Sequence, residues 1–97
     1  MANKRIRGWI IRILQRAYPA GLEDKSLHKQ LNALGYPVTK IELIANLTYL
    51  LEDGFIEEKS FGDQFGFSND LCNKIYKLTT SGLDLAEKTI TDSGVEL

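Results

Sequence analysis

The chain has 97 residues, which is enough for one modest hydrophobic core and too few for two independent domains. Its composition, 43% hydrophobic and 26% charged, is typical of a folded protein and excludes a disordered chain. The formal net charge is −1, so the overall positive charge that argues directly for nucleic-acid binding is missing. We therefore predict a single domain over residues 1–97.

The sequence also excludes several kinds of site. No apolar run approaches the roughly 18 residues of a membrane-spanning helix, so a cytoplasmic protein without membrane contact is expected. Cys72 and His28 are the only cysteine and histidine, which excludes a disulfide framework and a zinc site of the usual ligand set within one chain. Neither a glycine-rich phosphate loop nor a nucleophile with a partner histidine is recognisable. No metal, cofactor or enzymatic activity is therefore predicted.

A first helix is predicted over residues 4–18, because apolar residues recur there at helical spacing. Its core face carries Ile6, Ile10, Ile13, Leu14 and Ala17. At about 100° per residue, Arg5, Arg12 and Arg16 share a narrow sector on the opposite side. These arginines either contact phosphates or form a solvated charged face.

Two further helices are predicted before residue 55. The second runs from about Asp24, whose carboxylate can cap free backbone N–H groups, to Gly35. The third begins at Thr39, because Thr39 and Glu42 have the spacing of a capping box, and Gly54 ends it. Its predicted core stripe consists of Leu43, Ile44, Leu47, Leu50 and Leu51.

Two strands are predicted next, since residues 55–61 and 71–78 are rich in β-branched and aromatic side chains. Glycine, serine, asparagine and aspartate between them favour turns, so the two strands are expected to form a hairpin. Thr79 or Thr80 is predicted to cap a last helix, and residues 91–97 are predicted to be a flexible tail. The predicted fold is therefore α+β: mainly helical, with one two-stranded hairpin.

This order of elements resembles the winged helix-turn-helix family of DNA-binding domains. The most specific stretches are residues 47–56 (LTYLLEDGFI) and 76–82 (YKLTTSG). In such proteins a leucine-spaced helix commonly ends in an acidic pair and a glycine, and the second wing strand runs into a Leu-Thr-x-x-Gly entry to the last helix. Residues 7–14 (RGWIIRIL) also look like small prophage proteins that are grouped with bacterial transcription regulators.

The resemblance implies that the third helix enters the major groove of DNA and that the hairpin wing meets the backbone or the minor groove. Asn46 suits a bidentate contact with adenine, and Lys40 suits a phosphate or guanine. The candidate DNA contacts are Thr39, Lys40, Glu42, Asn46, Tyr49, Lys59, Lys74 and Lys77. The alternative is a solvated helix face, because residues 39–54 carry three acids against one lysine. Phe65 and Phe67 either enter the minor groove or a partner's pocket, or cover the hairpin.

A homodimer is expected, because related regulators present two reading helices to two half-sites. The candidate dimer interface consists of Trp9, Ile11, Tyr18, Leu83 and Ile90; alternatively, these residues complete the core of a monomer. The predicted function is a homodimeric DNA-binding transcription regulator of bacterial or prophage type. The alternative is a winged-helix module that binds a protein partner and no DNA.

Overall fold

The computed structural model describes residues 3–60 and 74–97. Phe65, Phe67, Cys72 and the predicted start of the second long strand lie outside the described residues. The elements are α1 (Asn3–Ala17), β1 (Leu22–Glu23), α2 (Asp24–Ala33), α3 (Lys40–Glu52), β2 (Ile56–Ser60), β3 (Lys74–Leu78) and α4 (Thr80–Ala86). The predicted α+β class is confirmed.

The first helix, α1, is buried over more of its surface than the single core face that the sequence predicts. It contacts α2, α3, α4 and β3. Its predicted core residues Ile6, Ile10, Ile13 and Leu14 are buried, and Ile11 is completely buried as well. The assignment of Ile11 to a dimer interface is therefore wrong: elements on several sides of α1 cover a wider arc of its surface than one apolar stripe.

The predicted capping box of α3 is present, whereas Asp24 binds a free backbone N–H of α2 from inside the helix and not as its N-cap. The Thr39 hydroxyl accepts a hydrogen bond from the Glu42 N–H at 3.1 Å, and the Glu42 carboxylate accepts one from the Thr39 N–H at 2.9 Å. At α2 the N-cap is Glu23, whose side chain makes no capping bond. Asp24 is instead the first helical residue and accepts the N–H of its neighbour Lys25 at 2.8 Å.

The buried side of α3 differs from the predicted stripe. Leu43, Leu47 and Leu50 are buried as expected, but Ile44 is exposed. The helix ends as predicted, with Gly54 just beyond it in the left-handed region at φ +80°. The leucines therefore hold α3 on the core, while its other sides are set by neighbours that the sequence pattern does not reveal.

The sheet has three antiparallel strands in the order β1-β3-β2, whereas the sequence predicts two. Strand β3 pairs with β2 from Ile56 opposite Leu78 to Ser60 opposite Lys74. The additional strand β1 pairs Leu22 with Tyr76. A two-residue strand is too short to show an alternating pattern, so the sequence does not predict β1.

The C-terminal segment, predicted to be a loose tail, packs against α1. Val95 is buried in the core, and the Glu96 N–H donates to the Lys4 carbonyl at 3.0 Å. The last helix α4 ends at Ala86, so Ile90, a candidate dimer residue, lies beyond it and is exposed. The side chain of Thr79 caps α4 by accepting the Gly82 N–H at 3.1 Å.

Candidate functional site

A cleft of 360 Å³ lies where α2, α3 and the sheet meet. The α2–α3–sheet cleft is lined mainly by Asp24, Lys25 and His28 of α2, by Lys40, Ile44 and Thr48 of α3, and by Glu58, Lys74 and Tyr76 of the strands. It therefore collects side chains from three separate parts of the chain.

The first turns of two helices line this cleft. Lys25 is the second residue of α2 and Lys40 the first residue of α3, and both are exposed. A helix N-terminus carries a partial positive charge from its unpaired N–H groups, which favours anions. Lys74 adds a third ammonium group, although it forms a 2.8 Å ion pair with Glu58. The arrangement suits contact with a polyanion at a small number of points.

One wall of the cleft contains a buried acid, Asp24, which is only 5% exposed. Its Oδ2 atom has no hydrogen-bond partner among the described residues. Burial raises the pKa of the Asp24 carboxyl, an effect that the hydrogen bond from the Lys25 N–H opposes. Burial also raises the pKa of the neighbouring Tyr76 hydroxyl to about 12, with help from the negative charge of Glu58. Ionised Asp24 thus destabilises the folded state.

Replacing Asp24 by asparagine is expected to raise the melting temperature by a few degrees at neutral pH. The folded protein holds the Asp24 proton more tightly than the unfolded chain, so stability falls as the pH rises from 3.8, the ordinary pKa, through the raised folded value. The gain should vanish below pH 3.8, where Asp24 is protonated in both states. Thermal unfolding across pH checks this; Glu23→Gln, at the exposed neighbouring position, is the control. A pH-independent difference would contradict it.

The outer face of α3 is apolar and nearly uncharged. Ile41 is 78% exposed, and Ile44, Ala45 and Thr48 are exposed beside it. Lys40 stands at one end of this face. Residues Ile41, Ile44, Ala45 and Thr48 are called the outer α3 face below. Because Ile41 and Ile44 are large and water-facing, this surface is suited to contact with another molecule.

Asn46 does not belong to this outer face, contrary to prediction. It is 2% exposed, and its Oδ1 accepts a hydrogen bond from the Arg7 Nε at 2.9 Å. Its Nδ2 donates to the Glu42 carbonyl at 2.9 Å. The predicted outward orientation of Asn46 is wrong, because α1 packs over this side of α3 and supplies a guanidinium that needs an acceptor.

Tyr49 is half-buried on the same side of α3. Its hydroxyl donates to the Asp92 carboxylate at 2.8 Å, and the Arg7 guanidinium lies 3.8 Å from the centre of its ring. The bond to Asp92 is the main reason that the pKa of the Tyr49 hydroxyl is raised. Arg7 also donates to the Gly94 carbonyl at 3.0 Å. Asn46 and Tyr49 therefore hold α1, α3 and the C-terminal segment together.

The other predicted DNA contacts differ in whether their side chains are already bonded within the protein. Thr39 and Glu42 are exposed, but their side chains bind the backbone in the capping box. Lys59 is exposed on β2. The Lys77 Nζ lies 3.5 Å from the Glu57 Oε2 across the strand pair. Lys74 is likewise paired with Glu58. The strands thus offer less net positive charge than their lysines suggest.

The predicted dimer residues do not share one environment. Tyr18 and Ile90 are exposed, while Trp9 and Leu83 are half-buried. The Trp9 ring contacts the Tyr36 ring with centroids 6.1 Å apart. Of the five, Tyr18, which is 41% exposed, and Ile90, which is 39% exposed, are therefore the most accessible to a second subunit.

Sequence reasoning missed the role of Arg7. This residue precedes Ile10 by three positions and Ile11 by four, which places it on the buried side of α1. A guanidinium at such a position requires a polar partner, and this was the signal for an acceptor on a neighbouring helix.

Further observations bound the possible functions. Within residues 3–60 and 74–97, no helix combines the length and apolar character needed to cross a bilayer. The same ranges contain no group of three or more histidine, cysteine or acidic side chains placed to hold a metal ion. Comparison of the chain with models of known families, with curated proteins and with solved structures found no match. The α2–α3–sheet cleft and the outer α3 face together form the candidate site.

Proposed function

We propose that this chain is a winged-helix domain that binds double-stranded DNA, with α3 in the major groove and the β2–β3 pair as the wing. The order of the elements and the β1-β3-β2 sheet support this proposal. The observation that carries it is the α2–α3–sheet cleft, where the first turns of α2 and α3 meet the strand pair. DNA-binding helix-turn-helix domains use these parts to contact one duplex.

The proposed contacts differ from those expected from the sequence. Lys25, Lys40 and Lys59 are exposed and are assigned to backbone phosphates, which position a protein on DNA. Thr48 is assigned to a base edge through its hydroxyl. Ile41 and Ala45 suit contact with thymine methyl groups, which require apolar side chains. The outer α3 face thus takes the reading role that Asn46 and Tyr49 were expected to have.

The charge distribution sets the expected salt dependence. Glu57 and Glu58 pair with Lys77 and Lys74, so few lysines remain for phosphates. Each phosphate contact contributes about −0.9 to the slope of log affinity against log salt concentration. Two or three contacts predict a slope of roughly −2 to −3, much shallower than that of a strongly basic DNA-binding protein.

Selection from a randomised duplex library, followed by affinity measurements on the enriched sequence, tests the proposal. Lys40→Ala is expected to weaken binding to every duplex and to reduce the salt slope by about 1. Thr48→Ala is expected to weaken binding to the enriched sequence by roughly fivefold and to leave binding to unrelated duplexes unchanged.

Arg16→Ala is a suitable control, since Arg16 is exposed on α1 and does not line the α2–α3–sheet cleft. It should retain the affinity and the salt slope of the original protein. The proposal fails if no sequence is enriched, or if the Lys40 and Thr48 variants bind as tightly as the control.

A homodimeric transcription regulator of the bacterial or prophage type is the form of this proposal that the sequence resemblance favours. Exposed Tyr18 and Ile90 are compatible with a subunit contact outside the cleft. A dimer that places one α3 on each half-site would enrich sequences with two-fold symmetry, the half-sites being about one helical turn apart. Enrichment of a single half-site would instead indicate a monomeric reader.

The second candidate is a protein-interaction module, which the exposure of Ile41 favours. An isoleucine that is 78% exposed beside exposed Ile44 suits an apolar partner surface as well as thymine methyl groups. This function predicts that the library selection enriches no sequence and that Ile41→Gln abolishes binding of the protein partner.

A further inference from the structure

A second surface depression, separate from the α2–α3–sheet cleft, runs between α1, the end of α2 and the C-terminal segment. This α1–α2 groove has a volume of 730 Å³ and shares no lining residue with the cleft. Trp9, Ile13 and Tyr36 contribute apolar surface to it. Leu34, which is 44% exposed, and the exposed Leu97 also line it. The groove thus offers apolar contacts from three segments of the chain.

The charged side chains of the groove are mainly arginines. Arg5, Arg12 and Arg16 line it, against the single acid Glu96. Arg5 forms an exposed 3.1 Å ion pair with Glu96, and such a pair is weak in water. Arg12 is held in place by a 2.9 Å bond to the Ala86 carbonyl. Three guanidinium groups beside apolar surface therefore face one acidic side chain.

We propose that the α1–α2 groove docks an amphipathic helix of a partner protein, whose apolar side packs on Trp9 and Leu34 and whose acidic side chains pair with Arg12 and Arg16. Helices commonly bind in apolar grooves through anchors at positions i, i+3, i+4 and i+7. Tryptophan, tyrosine and arginine are the residue types that dominate binding energy at interfaces. Because arginines outnumber acidic side chains in the groove, it favours an amphipathic helix with acidic side chains over one without them.

A second copy of this chain fits the groove less well. In a two-fold symmetric dimer the same surface patch meets itself, so the arginines of one copy would approach those of the other. Like charges at an interface oppose association. The charge of the groove thus favours a partner of opposite charge.

The fluorescence of Trp9 can report binding in the groove, because Trp9 lines the groove and is the only tryptophan of the chain. The probe is a synthetic peptide of roughly 18 residues, or five helical turns, with leucine on one face, glutamate on the other and no aromatic residue. Titration of the intact protein with this peptide is expected to give a saturable blue shift of the Trp9 emission. A scrambled peptide of the same composition, and one with lysine for glutamate, should give none.

Two variants at exposed positions locate the binding. Leu34→Gln is expected to weaken peptide affinity about tenfold by removing apolar contact. Arg16→Glu is expected to weaken it roughly threefold to tenfold, since it replaces attraction by repulsion. Lys29→Glu is the matched control, because Lys29 is exposed on α2 and lines neither the groove nor the α2–α3–sheet cleft. Circular dichroism of all three variants should match that of the original protein.

The proposal is overturned if the acidic peptide gives no saturable shift, if the lysine or scrambled peptide binds equally well, or if both groove variants bind like the control. Sedimentation equilibrium tests whether a second copy occupies the groove. A dimer that Leu34→Gln disrupts would show that it does, and would also overturn the proposal. The DNA-binding proposal is unaffected by any of these results, since the two sites share no lining residue.

Discussion

Gly82→Ala is expected to lower the free energy of unfolding by at least about 2 kcal/mol. A Cβ atom at this position would collide with the carbonyl oxygen of Phe55 and lie only 3.0 Å from the Phe55 carbonyl carbon. The obstacle is backbone, and it cannot rotate away as a side chain does. That carbonyl also accepts the Thr79 N–H at 3.1 Å, so moving it would disturb the start of α4.

Helix propensity acts in the opposite direction, because alanine inside a helix is about 1 kcal/mol more favourable than glycine. The collision with backbone must therefore outweigh the gain in helix propensity. Urea unfolding measures the difference. Ser81→Ala is the control, since Ser81 is an exposed neighbour on α4 and its substitution should change stability by less than about 0.5 kcal/mol. A Gly82→Ala protein as stable as the original would show that α4 can move away from Phe55.

Asn46→Ala is expected to lower the free energy of unfolding by about 2–3 kcal/mol, which is large for a residue that was expected to face DNA. The substitution removes the acceptor of the Arg7 Nε and the donor to the Glu42 carbonyl. A hydrogen bond to a charged group contributes more than a neutral one, and a buried group left without its partner adds a desolvation penalty.

Urea unfolding of Asn46→Ala and of Thr48→Ala separates the structural role from a reading role. Thr48 is exposed on the same helix, so its truncation should leave stability within about 0.5 kcal/mol. An Arg7→Met, Asn46→Ala double variant should lose less than the sum of the two single losses, because both members of one interaction are removed. Unchanged stability of Asn46→Ala, together with weaker DNA binding, would restore Asn46 to the reading surface.

The features that sequence reasoning identified correctly are those whose causes are local. The beginning of α3 follows from Thr39 and Glu42, three residues apart, and its end from the left-handed conformation of Gly54. The burial of Leu43, Leu47 and Leu50 follows from helical spacing alone. Local chemistry thus located the helix that carries the candidate site.

The features that were missed depend on contacts between distant parts of the chain. Asn46 is bonded to Arg7, 39 residues away, and Tyr49 to Asp92, 43 residues away. A helical wheel assigns sides by hydrophobicity, and it cannot tell which polar side another segment will cover. Strand β1 is defined only by its pairing with β3. The outer α3 face was therefore misassigned, although the helix itself was correct.

The bond between the Lys4 carbonyl and the Glu96 N–H has a consequence for biosynthesis, because it joins segments 92 residues apart. During translation α1 leaves the ribosome long before the C-terminal segment that packs against it. The Glu96 backbone, which packs against Gly8, and the side chain of Val95 can reach their places only after residues 95 and 96 have left the ribosome. Until then the nascent chain exposes the part of its core that these residues cover.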